Sequence, residues 1–379
     1  MNKKERIEAV IHHKKVDKIP WTLYSMLSPW GEAELNFRNK GLALVHAEFK
    51  IYKALSPHIT ITEKSIYKIS NHTGRNMILR KFKTKVGEVY THSEFSINTV
   101  PEPIDYITKY DGGVDQIEFS WIRKHPFKSK SDYEIMEYIY KNTIYENNYK
   151  EYTRVSKIVG SEGVVWAYVG KSPFSIFLYD LMGFETCFLE LKDNPKKFRR
   201  LYEIIYQKLK DIYNIAAKSP ALIVWAPDHL PSLLTPPDIF KEFYMPFYNE
   251  MADLLHKNGK VYAIHVDAVD IKSIAHLINE TKIDIIEAFT PTPMGDLSMS
   301  EAREIWRDKI IWVNFPGNLL TYSNENEIEE YTINLLKSVA PGDNFILGCT
   351  ENFPIERWDY TFSAIAKTLE KYGKYPIKI

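Results

Sequence analysis

The sequence predicts an α/β chain folded as a (β/α)8 TIM barrel with a strand-rich insertion in its N-terminal third. Three observations carry this. Short apolar runs alternate with amphipathic helical stretches from about residue 131 to the end, the pattern of parallel strands covered by helices. The strand candidates reach eight, which favours a closed barrel over an open doubly wound sheet. No G-x-G-x-x-G or G-x-x-x-x-G-K-[ST] follows any strand, so dinucleotide-binding and P-loop folds lose their main support.

Taken in order, residues 3–13 read as a helix with Ile7, Val10 and Ile11 on one stripe, and 17–24 (DKIPWTLY) as the first barrel strand. Between 59 and 125 the pattern changes. ITITEKSIYKI, NMILRKFKTKVGEVYTHSEF and DQIEFSWIRKH alternate β-branched or aromatic residues with polar ones, broken at His72-Thr73-Gly74 and Val86-Gly87. This is a strand-rich excursion, a lid or a dimer surface, and a strand near Ile59 is counted as part of the barrel. Ser131 to Glu134 resembles a helix start. The later strands are 163–169 (GVVWAYV), 221–227 (ALIVWAP), 260–266 (KVYAIHV), 283–289 (IDIIEAF), 310–315 (IIWVNF) and 344–349 (NFILGC). Helices are expected at 238–258, 271–280, 300–308, 325–339 and 355–371. A barrel with insertions reaches this length as one unit, so 1–379 is expected to be a single domain, including the insertion at about 59–125.

Composition is that of an ordinary globular protein, 45% apolar and 26% charged, which supports a sizeable core. Lys plus Arg (49) balances Asp plus Glu (49), and no basic block suggests nucleic-acid binding. The N-terminal stretch has no apolar signal region, and no run approaches a membrane span, so a cytoplasmic location and no membrane partner are expected. The two cysteines form no disulfide framework. Cys187, among apolar neighbours, reads as a small buried hydrophobe.

In a parallel barrel, functional groups stand where strands end. Asp228 and His229 follow ALIVWAP, His265 and Asp267 follow KVYAI, Glu287 interrupts IDIIEAF, Asn314 follows IIWV, and Cys349 with Glu351 follows NFILG. Each alone is an ordinary core or cap residue. Together, imidazole, carboxylate and thiolate at one mouth are metal-ligand chemistry, most naturally zinc on His265, Glu287 and Cys349. Glu287 is the most telling, because a carboxylate in an apolar run needs a cation or a donor beside it. Asp228 and His229 form a proton-handling or substrate-orienting pair, with a helix cap or loop hydrogen bond as the alternative. Trp30, Trp166 and Tyr168 would wall the pocket with aromatic surface, and Arg38 and Asn314 complete the substrate-binding set. The loop Pro291 to Asp296 is expected to shape the mouth.

From ALIVWAPDHL through ILGCTENFP the chain resembles the uroporphyrinogen decarboxylase superfamily, and its methyltransferase branch in particular. ERIEAVIHHKKVDKIPW, HKNGKVYAIHVDA and IDIIEAFTPTPMGD extend the resemblance over nearly the whole chain. It implies a zinc enzyme moving methyl groups between a small methylated substrate and a corrinoid (cobalamin) protein or a thiol. The metal pattern is similar to that of cobalamin-independent methionine synthases, a His-x-Cys pair, then a Glu and a further Cys, onto which His265, Glu287 and Cys349 fall. Asp267 stands where the pair has its Cys. A carboxylate there joins the implied ligand set and makes harder divalent metals plausible beside zinc. The porphyrinogen decarboxylases are similar in fold but carry an arginine-rich segment after the first strand, whereas TLYSMLSPWGEAELNFRNKG holds the single Arg38. That disfavours a polycarboxylate substrate.

The resemblance implies that the metal acts as a Lewis acid on a thiol or on the atom bearing the methyl. The corrinoid would sit on a separate partner protein, since no D-x-H-x-x-G motif occurs here. A homodimer would use the strand-rich surface. Two alternatives stand beside this: a decarboxylase or lyase of a small carboxylate on the same barrel, and a non-catalytic protein holding a corrinoid or small ligand at the mouth.

Overall fold

A computed structural model describes residues 1–28, 31–47, 49–70, 73–96, 121–351 and 353–379. Contacts divide the chain into two compact units, one of Met1–Ile51, Tyr149–Val169 and Ala216–Ile379, the other of Tyr52–Asn148 and Gly170–Ile215. Among the described residues of the first unit, the strands are β1 (Trp21–Tyr24), β2 (Leu42–His46), β3 (Gly163–Val165 and Ala167–Tyr168), β4 (Ile223–Ala226), β5 (Val261–His265), β6 (Ile285–Phe289), β7 (Ile310–Asn314) and β8 (Phe345–Cys349). All are parallel to their neighbours. The first half of β3 pairs with β2 and the second half with β4, while β8 pairs with β1, so the sheet closes into an eight-stranded (β/α)8 barrel. Gly163 makes the β2–β3 seam possible, because a Cβ there would stand 1.8 Å from the Leu44 carbonyl oxygen.

Helices cover the strands as their apolar stripes dictate. Helix Glu32–Asn39 and helix Trp358–Tyr372 meet over β1 through Trp21, Phe37, Trp358 and Phe362, with the last two rings stacked at 4.7 Å. Capping boxes start the helices at Asn2 with Glu5, Ser298 with Glu301, and Asn324 with Glu327.

Strand register decides which side chains enter the barrel. Parallel partners point the same way and neighbours along a strand point oppositely. The Trp312 indole donates to Thr22 Oγ1 at 2.9 Å, and Tyr24 and Trp225 both reach Glu287, so these side chains are inward. His265 is paired with Glu287 and Tyr168 with Trp225, and they too face inward. Leu23 then faces the helices, and its partner across β1 and β8 is Cys349, so Cys349 also faces the helix layer. In β6 a bulge at Ala288 (φ 54°) lets Glu287 face inward and Phe289 outward onto Trp306, at 5.1 Å between ring centroids.

One barrel strand differs from expectation. The second strand is Leu42–His46, and the segment near Ile59 belongs to the other unit. The reason is physical: LALV is buried without a break, as a strand covered on both sides requires, whereas ITITEKSIYKI alternates and suits an antiparallel sheet.

In the second unit, Thr60–Ser70, Thr73–Thr84, Gly87–Ser96 and Trp121–Lys124 form a four-stranded antiparallel sheet in chain order. Helix Asp132–Asn142 lies against it, with Ile135 filling the space beside Gly87. Tyr52–Leu55 pairs antiparallel with Ile144–Asn147. The strand-rich insertion is therefore present. Of its expected features, the break at His72 and the first part of DQIEFSWIRKH lie outside the described residues. Among the described residues no helix is long and apolar enough to cross a membrane.

Candidate metal centre

Glu287 is fully buried, and its carboxylate is held by three donors. The Tyr24 hydroxyl reaches Oε1 at 2.8 Å, and the Trp225 indole and His265 Nδ1 reach Oε2 at 3.0 and 2.6 Å. A carboxylate only accepts, so Nδ1 of His265 carries the proton and Nε2 is left for the mouth. This is the carboxylate–histidine arrangement that sets the tautomer and orientation of a metal ligand. The donor that a carboxylate in an apolar run requires is thus an imidazole with an indole and a phenol.

On the other side of the ring, His265 Nε2 lies 3.7 Å from Asp267 Oδ2, and His229 Nδ1 lies 2.9 Å from the same oxygen. Ligand atoms of His229, His265 and Asp267 fall within 4.8 Å of one another. Two imidazoles and a carboxylate so arranged fit a divalent cation. The site opens on one side, since the side chains of His229 and Asp267 are 37% and 38% exposed against 10% for His265. Asp267 sits at φ 30°, in left-handed backbone that costs a non-glycine residue roughly 1–3 kcal/mol. Backbone strain of this kind clusters at functional positions.

The loops that carry these residues are tied together. Leu230 N–H bonds the Val266 carbonyl at 2.9 Å, and Leu233 N–H bonds the Asp270 carboxylate at 2.9 Å. Asp296, in the loop after β6, accepts from the Ile271 and Lys272 amides. The Pro291 to Asp296 segment thereby braces the turn on which Asp267 stands.

Electrostatics follow from this packing. Burial opposes a charged His265, yet Glu287 and Asp267 outweigh it and raise its pKa to about 10. Burial would raise Asp267, but the bonds and charges of His229 and His265 hold it well below the usual carboxylate range. Glu351 is raised by burial and by the Asp267 charge, while the Asn314 bond and His265 pull the other way. Burial, with Glu351 adding to it, pushes the Cys349 thiol up.

The remaining predicted residues divide clearly. Asp228 is fully buried and accepts from the Tyr248 hydroxyl at 2.9 Å, while the half-exposed His229 stands beside Asp267. Asn314 donates to Thr290 and to Glu351 at 2.9 and 3.0 Å and accepts from the Thr350 amide, which orders the loop after β8. Trp166 and Tyr168 fill the barrel, packed with Trp225, and the fully buried indole N–H of Trp166 has no hydrogen-bond partner among the described residues. Arg38 is not brought to this group. It pairs with Glu34 at 2.5 Å and with Glu162 at 3.3 Å, just before β3, at the opposite end of the strands. Trp30 lies outside the described residues. Cys349 is fully buried and is not part of the 4.8 Å group. Sequence reasoning missed Tyr24 and Trp225 as holders of Glu287. The available signal was a phenol and an indole at the ends of two apolar strands.

The model of the family named Uroporphyrinogen decarboxylase (URO-D) matches residues 121–359, more than half of the chain. No curated protein matches the sequence. Among solved structures, the chain is similar to a methyltransferase from Methanosarcina mazei, with 13% sequence identity and a TM-score of 0.55, covering 98% of this chain and 99% of that one.

Proposed function

Because this chain belongs to the uroporphyrinogen decarboxylase family, we propose that it is a metal-dependent methyltransferase of that fold. It moves a methyl group between a small methylated substrate and a corrinoid protein or a thiol, in the cytoplasm. The observation that supports this above all is the group of His229, His265 and Asp267 at the mouth, where a porphyrinogen decarboxylase would need cationic side chains. The structural likeness to a methyltransferase agrees with the reading.

A bound divalent metal, zinc first among them, would supply Lewis acidity to a thiol or to the atom bearing the methyl. The chain's own residues do the rest. Glu287 fixes the His265 tautomer, with Tyr24 and Trp225 satisfying its other lone pairs. Asp267 presents a carboxylate beside the imidazoles of both His229 and His265, and His229 stands on the exposed side, where substrate enters. Asn314 orders Glu351 at the rim. The corrinoid is carried by a separate protein.

Methyl transfer to free cob(I)alamin, followed by absorbance with methylamines, methanol-class and methoxy-aromatic donors and methyl thioethers, tests the reading. Turnover with one donor class, abolished by Asp267→Asn, is the expected result. Silence with every donor from metal-loaded protein refutes it, and carbon dioxide release from a small carboxylate would establish the lyase alternative instead.

A further inference from the structure

We propose that the metal is held by His229, His265 and Asp267 alone, two imidazoles and one carboxylate with no thiolate, and that Cys349 is a packing residue. This rests on reading the mouth as a metal centre, and it does not depend on methyl transfer being the reaction.

Three observations converge. The first is strand parity. Cys349 is the register partner of Leu23, while the adjacent pair Thr22 and Gly348 faces inward with Trp312: Thr22 accepts the Trp312 indole, and a Cβ on Gly348 would stand 3.0 Å from the Trp312 side chain. A thiol at 349 therefore points to the helix layer, and turning it inward would require a bulge at the end of β8 or a slip of the strand against β1. The second is the histidine. Glu287 occupies Nδ1 of His265 at 2.6 Å, so Glu287 acts as a positioning residue and only Nε2 remains as a ligand atom. The third is the pairing of Asp267 with His229. The carboxylate, set at φ 30°, stands 2.9 Å from one imidazole and 3.7 Å from the other, and it is the one group common to both.

The donor set has a chemical consequence. Thiolates select zinc and other soft ions, while two imidazoles and a carboxylate also suit iron(II) and cobalt(II), with coordination positions left for substrate. This centre should therefore accept cobalt(II) and iron(II) as readily as its place in the divalent-metal affinity order allows.

The test uses full-length protein stripped with a chelator and titrated with cobalt(II). One equivalent should bind, giving weak visible bands and no intense near-ultraviolet thiolate-to-cobalt band, and Cys349→Ser should give the same stoichiometry and spectrum. His229→Gln and Asp267→Asn should lose binding at concentrations that saturate the wild type, with unchanged far-ultraviolet circular dichroism. A thiolate band in the wild type that disappears in Cys349→Ser overturns the proposal, as does full cobalt binding by folded His229→Gln, or no binding by the wild type. Should the variants at 229 or 267 fail to fold, the wild-type and Cys349→Ser spectra decide alone. Cobalt binding of this kind with no methyl transfer would remove the methyltransferase reading and leave this one standing.

Discussion

Replacing Glu287 separates its two jobs, charge and shape. Glu287→Gln preserves volume, and its amide oxygen can occupy the Oε2 position to accept from Trp225 and His265 while the amide nitrogen donates to a reoriented Tyr24 hydroxyl. Only the negative charge on the 2.6 Å bond to His265 is lost. Metal affinity should fall about 10–100-fold, the usual effect of removing a histidine's outer partner, or about 1.4–2.7 kcal/mol. Glu287→Ala removes the acceptor altogether. It leaves the buried Trp225 indole without its acceptor, while Tyr24 and His265 keep the 3.2 Å contact between them in place of their bonds to Glu287, so unfolding free energy should drop by about 1–3 kcal/mol even without metal. Urea unfolding of metal-free protein at pH 7 and zinc competition against a fluorescent chelator measure the two quantities. Should Glu287→Ala unfold within about 0.5 kcal/mol of the wild type, or Glu287→Gln bind zinc with unchanged affinity, the carboxylate is not what holds His265.

Other expectations can be checked separately. Because the metal-free His265 titrates at about 10, it is protonated at pH 7, so metal binding there should release a proton and tighten as pH rises toward 10; calorimetry in two buffers of different ionisation enthalpy reads this directly. The same raised pKa stabilises the metal-free fold, fully below the unfolded value near 6.5 and progressively less as pH climbs through about 10. His46 behaves oppositely: burial lowers it to about 4, so stability should fall as pH drops from about 6.5 to 4, and His46→Gln, which can keep the Ser25 bond, should flatten that limb of a urea-midpoint profile. Gly163→Ala would force a methyl against the Leu44 carbonyl and should cost several kcal/mol or prevent folding, seen as a lowered thermal midpoint.

The barrel was largely legible because six of its strands, β3 to β8, are apolar runs set between amphipathic helices, a pattern only covered parallel strands require. LALV is hard to read as a strand because it is short and follows directly on a polar helix, while the alternating residues near Ile59 give a louder strand signal that belongs to the antiparallel sheet. At the site, Glu287 stands out since a carboxylate in IDIIEAF contradicts its surroundings, and His265 lies beside it in register, with Asp267 two residues further on. The face of Cys349 was not legible. In a strand buried on both sides every residue is apolar, so alternation carries no information and orientation follows only from pairing with β1 and β7. In the sequence His229 reads as the partner of Asp228, and the loop geometry sets one beside Asp267 and the other beside Tyr248. Arg38 looked available to a ligand because nothing in its neighbourhood of the chain reveals Glu162, which is remote in sequence.

The indole that holds Glu287 also gives this protein an internal optical reporter. Trp225 lies 5.4 Å from the His265 ring and 5.7 Å from Trp166, which in turn lies 4.9 Å from Trp312. Excitation reaching any of the three rings can migrate to the one whose N–H bond senses the charge on Glu287 and His265. An ion entering the mouth, or a proton leaving it, should therefore change the intrinsic emission of the barrel without any label, so that occupancy can be followed in real time during stopped-flow mixing.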